Sequence, residues 1–157
     1  MRLILFLFLT LPIFYYSQNN NTGKISFESE CMGAELDGSQ TIKAWGTGRN
    51  YSDACEQAKK NAVRDVLFKG IKKGSSECNS LALILNQDVK IKNEDYFNVF
   101  FADGGKYSQF VNTKDEQIPK KIKREKEKNV DQNTHAIVLR VLRSTLKKQL
   151  INDGIIK

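Results

Sequence analysis

A single histidine, His135, is all the imidazole this 157-residue chain contains. Any Ser-His-Asp or Cys-His arrangement would have to run through it. No GxSxG stretch occurs to make a nucleophile elbow, so His135 reads as a half-buried or surface residue near the start of a strand. Cysteine is scarce too: Cys31, Cys55 and Cys78, with no CxxC pair and the histidine far away, a pattern that argues against a zinc-type site. Gly46-Thr47-Gly48 matches neither GxGxxG nor GxxxxGK[ST], so the phosphate-loop reading falls and the two glycines read as a structural turn. A DxDxDG calcium loop, an RNA-binding aromatic signature and an internal repeat are also lacking. The expectation is therefore a protein without catalytic residues, cofactor or metal. The remaining enzymatic reading is a hydrolase using His135 or a carboxylate pair such as Glu94/Asp95 or Glu28/Glu30.

Long apolar runs are missing except at the start. Arg2 precedes Leu3 to Tyr16, which is almost wholly apolar, and small Ser17 is followed by QNNNTG. This is the layout of a secretory signal peptide over residues 1–17, too short an apolar run to favour a membrane span. Residues 18–23 read as a flexible tether and 24–157 as one domain. No cysteine follows the run closely enough to carry a lipid, the first being Cys31. Export implies an oxidising compartment in which cysteines pair, periplasmic or extracellular. Cys31 and Cys78 lie in the less regular stretches, so a Cys31–Cys78 bond is expected, with Cys55 buried and free. The sequence does not separate the three pairings.

Composition is globular, at 40% hydrophobic and 27% charged, with a formal net charge of +7. The excess is concentrated: from Pro119 to Lys148 there are ten Lys/Arg against three acids. Lys120, Lys121, Lys123, Arg124, Lys126 and Lys128 form a candidate polyanion site for an acidic glycan; the plainer reading is a solvated face. Nothing specifies nucleic acid.

Alternation predicts a strand over 24–31, with Ile25, Phe27 and Ser29 on one side. Asp37-Gly38 predicts a turn and 41–46 the returning strand. Asn50 or Ser52 caps a helix over 52–69, whose stripe of Cys55, Ala58, Ala62 and Val66 should face the core. Lys59, Lys60, Arg64 and Asp65 should face outward. A helix is predicted over 86–102, with Val89, Tyr96, Phe97, Phe100 and Phe101 on an aromatic face and Asp103-Gly104-Gly105 stopping it. Tyr107, Phe110 and Val111 form a short element. The lysine-rich stretch 120–130 and 134–142 are predicted to pair as a hairpin. Ser144 should cap a final helix with Leu146, Leu150 and Ile151 facing in. The fold class is α+β: a small antiparallel sheet, an alanine-rich helix after the first GxG-ended strand, a helical insertion at 86–111, and a C-terminal strand-hairpin-helix unit.

The stretches AWGTGRNYSDACEQAKKNAVRDVLFKGI, EDYFNVFFADGGKYSQFV and THAIVLRVLRSTLKKQLINDGI resemble a group of uncharacterised secreted bacterial envelope proteins. A wider pattern of Gly46, Gly48, Ala54, Ala58, Ala62 and the strand at 134–142 is similar to small outer-membrane lipoproteins. It is similar also to the N-terminal domain of a flagellar assembly protein. The chain departs from the lipoproteins in having no lipidation cysteine. The resemblance implies an exported interaction or assembly module with a protein or envelope-component partner, and it brings no catalytic residues with it.

Overall fold

A computed structural model of the chain describes residues 27–113 and 134–157. The expected signal peptide and tether and the lysines and arginine of 120–128 lie outside the described residues, as does the first strand of the expected 120–142 hairpin.

Among the described residues five strands form one sheet in the order β3-β1-β2-β5-β4. β1 is Glu30–Ala34, β2 Gln40–Thr47, β3 Lys73–Gly74, β4 Val111–Asn112 and β5 Thr134–Val141. The fold is α+β, as the sequence implies, but the sheet is not strictly antiparallel: β3 runs parallel to β1. β2 is central because its alternation is complete. Gln40, Ile42, Ala44 and Gly46 point into the core, while Thr41, Lys43 and Trp45 point to the other face. β5 pairs antiparallel with β2 along its whole length, Gln40 opposite Val141 and Thr47 opposite Thr134. Of the strand expected over 24–31, residues 24–26 lie outside the described residues. Residues 27–29 carry no strand pairing, and β1 begins at Glu30 and carries a bulge between Cys31 and Gly33. Ser29 is nevertheless buried, and Phe27 stacks on Trp45 across the outer face, with ring centroids 5.8 Å apart.

Helix α1, Tyr51–Arg64, lies on the inner face of β2 and β5. Asn50 caps it, its side chain accepting from the Asp53 backbone N–H at 2.9 Å, an interaction worth about 1 kcal/mol. The buried stripe is Ala54, Ala58, Ala62 and Val63. Cys55, one residue and about 100° off that stripe, is half-buried rather than core-facing. The α-helical hydrogen bonding gives way at Asp65–Lys69 to one π-helical turn, closed where the Gly70 N–H reaches the Asp65 carbonyl. Val66, four residues after Ala62, and Leu67 are both buried in the core. Their carbonyls accept from the Ile84 and Leu83 N–H groups, Leu83 on Val66 and Ile84 on Leu67, which docks the apolar 81–85 segment without any regular structure of its own. Gly70 has φ +76°, and a Cβ there would sit 1.9 Å from the Ser80 carbonyl oxygen, so only glycine fits.

The end of α1 corrects the expected place of Asp65, which stands three residues after Ala62 and seven after Ala58 and so shares their buried face. It is 8% exposed, and the Ser29 hydroxyl donates to its carboxylate at 2.6 Å while Lys69 pairs with it at 3.2 Å. This ties the segment entering β1 to the end of α1. Asp65→Ala leaves the Ser29 hydroxyl without its acceptor and removes the ion pair; a loss of about 1–3 kcal/mol in urea unfolding is expected.

The helix predicted over 86–102 is two helices. α2, Gln87–Lys92, is capped by Asn86, and α3, Glu94–Phe100, begins after Asn93. The run breaks at Asn93, whose backbone leaves the helical region (φ −116°, ψ 32°) and whose side-chain amide, like its backbone N–H, donates to the Val89 carbonyl. A 3₁₀ turn at Lys106–Phe110 then leads into β4. The last helix, α4, is Arg143–Asn152. Leu142, not Ser144, occupies its N-cap position, and no side chain caps it. Leu146 and Leu150 are fully buried, but Ile151 is 43% exposed, being 100° from Leu150 around the helix. At the other end Ile155 N–H bonds the Leu150 carbonyl and Gly154 N–H that of Ile151, a Schellman closure.

The inner face of the sheet, α1, α3, α4 and the 3₁₀ turn share one core in which Ile42, Leu67, Phe100, Tyr107, Leu139, Leu146 and Leu150 are buried.

Candidate functional site

The sequence names three sets of candidate residues, and the structure treats each differently. Cys31 and Cys78 are joined by a disulfide, with Cα atoms 5.9 Å apart, and Cys55 is a free thiol. Gly46 and Gly48 do not act as a turn of positive φ: Gly46 lies inside β2 and Gly48 just after it. Their function is close approach. A Cβ on Gly46 would meet the Ala54 carbonyl oxygen at 2.1 Å and the Ala58 nitrogen at 2.3 Å, and one on Gly48 would meet Ala54 N at 2.4 Å. Of the basic half, the described members are Arg140, Arg143, Lys147 and Lys148. Arg140 pairs with Glu35 at 3.3 Å, and Lys147 and Lys148 are exposed on α4.

His135 is half-buried at the start of β5 opposite Gly46. Its ring stands edge-on to Tyr51, centroids 5.1 Å apart. The Cys55 thiol beside Tyr51 raises the phenol above its usual range. Among the described residues no group of three or more His, Cys, Asp or Glu side chains comes together in a way that could hold a metal ion. Glu28 pairs with Lys73 at 2.9 Å instead of opposing Glu30 across a cleft.

The aromatic segment at 96–110 is mainly core. Phe97, Phe100, Phe101, Tyr107 and Phe110 are all under 10% exposed, and they pack edge-to-face or stacked on one another and on Phe68. Cations cover the rims: Arg64 lies over Phe101 at 4.7 Å, Lys60 over Tyr107 at 5.4 Å and Lys90 over Phe68 at 5.1 Å. On the outer side of α3 the same segment leaves a shallow cleft of about 370 Å³, lined by Asp95, Tyr96, Val99, Phe100 and Lys106. Its walls are apolar and its two charges are of opposite sign. Val99 is 72% exposed there, and Ile91 on α2 is 69% exposed. Val99 was legible as an outward residue: Tyr96, Phe97 and Phe100 make an i, i+1, i+4 stripe that leaves it out. The partner of Tyr96 was not, being 57 residues away.

That partner is Asp153, which accepts the Tyr96 hydroxyl at 2.6 Å and lies 3.9 Å from the Lys106 ammonium. Tyr96 thus ties α3 to the end of α4. Burial, then Asp153, pushes the Tyr96 phenol well above 10. The hydrogen bond from Tyr96, chiefly, holds the Asp153 carboxyl below its ordinary 3.8. Tyr107 makes the parallel contact with Glu56 at 2.9 Å and is pushed up to about 12, first by burial. Glu56 is held low mainly by Lys59. A carboxyl whose pKa is lower in the folded than in the unfolded state stabilises above its unfolded value and loses that contribution as pH falls through the folded one. The melting temperature is therefore expected to fall between pH 5 and pH 3, and Tyr96→Phe should flatten that fall in a thermal scan series. An equal slope in the variant would mean that Asp153 is not held by Tyr96.

Comparison with protein-family models, curated proteins and solved structures returns no match for the chain.

Proposed function

We propose that the protein is an exported, non-enzymatic envelope or secreted module that works by binding another protein or envelope component. The observation that carries this reading is the Cys31–Cys78 disulfide, almost wholly enclosed by the core, which suits an oxidising compartment. The signal-like first 17 residues and the resemblance to secreted envelope proteins point the same way. The absence of any helix long and apolar enough to cross a membrane among the described residues is compatible with it.

The contact face this reading favours is the outer side of α2 and α3. Val99 and Ile91 expose apolar surface beside a cleft whose rim carries Asp95 and Lys106. Such a surface gains by being covered, and the charges fix the orientation of what covers it. The test is crosslinking in intact cells followed by purification, with wild type and Val99→Glu in parallel. The variant is expected to melt within a few degrees of wild type, since Val99 is exposed, and to lose most of a crosslinked species that wild type forms. A crosslinked species retained unchanged by Val99→Glu would move the contact elsewhere. Wild type recovered entirely from the cytoplasm with all three thiols reduced would overturn the reading itself.

A further inference from the structure

We draw no further inference here: the strongest candidate, the outer face of the sheet around Ala136 and Val138 beside the Phe27–Trp45 stack, carries nothing because, among the described residues, nothing shows what covers it.

Discussion

Alanine at Gly46 is expected to destabilise the protein by at least about 3 kcal/mol, at or beyond the top of the usual range for overpacking. The atoms that a Cβ would meet are backbone, the Ala54 carbonyl oxygen at 2.1 Å and the Ala58 nitrogen at 2.3 Å. Neither can turn aside as a side chain would. Relief requires α1 to lift away from β2, and α1 is held by Ala54, Ala58 and Ala62, each fully buried against the strand. Lifting it opens a gap under three small residues and breaks the bond from the Asn61 side-chain amide to the Trp45 carbonyl, 2.8 Å long. Dispersion contacts fall off within an ångström of separation, so the helix cannot yield a little without losing much. The control is Gly33→Ala in β1. A Cβ there meets only the Glu77 carboxylate, at 3.5 Å, and a change within about 1 kcal/mol is expected. Urea unfolding of the two variants settles the matter. Equal stabilities would mean that α1 does not sit as close to β2 as this geometry requires.

That close contact explains how far the fold was legible. Small residues at Gly46, Gly48, Ala54, Ala58 and Ala62 announce a helix lying tight on a strand, and the alternation of β2 and the β-branched run of β5 announce the two central strands. Each signal is carried within one element. What the sequence hides are choices settled between elements. Asp65 shares by spacing the face of Ala58 and Ala62, but the partner that lets a carboxylate be buried there is Ser29, 36 residues earlier. The 86–102 run has unbroken helical periodicity, and it divides at Asn93, whose backbone leaves the helical region. The three-stranded neighbourhood of β1 depends on a two-residue parallel pairing at Lys73–Gly74, too short to have any pattern. The candidate contact face is legible only in part. Val99 falls off the aromatic stripe by spacing alone, whereas Tyr96, which walls the cleft beside it, bonds Asp153, 57 residues away at the end of the last helix.

Reduction of the Cys31–Cys78 bond should have an effect as large as the Gly46 substitution, by a different route. The bond spans 47 residues, enclosing β2, α1 and the π-helical turn, the central packing unit of the core. Closing a loop of that length removes about 4 kcal/mol of unfolded-state entropy at 25 °C in the chain-entropy model. The folded state gains as well. Cys31 lies in β1, where the Ser75 N–H reaches its carbonyl at 2.9 Å, so the bridge secures the strand edge on which β3 pairs. We expect Cys31→Ala/Cys78→Ala to lose about 2–5 kcal/mol in urea unfolding. The m-value should rise, because the unfolded chain, freed of its crosslink, exposes more surface. Reductant should bring wild type to the level of this double variant and leave the double variant unchanged. Cys55→Ala provides the discrimination: its thiol is free and only half-buried, so a loss under about 1 kcal/mol and full sensitivity to reductant are expected. If Cys55→Ala instead carried the large loss, the pairing would involve Cys55, and β1 would have to be anchored differently. If wild type proved indifferent to reductant, its cysteines would be unpaired, and the strongest support for export would go with them.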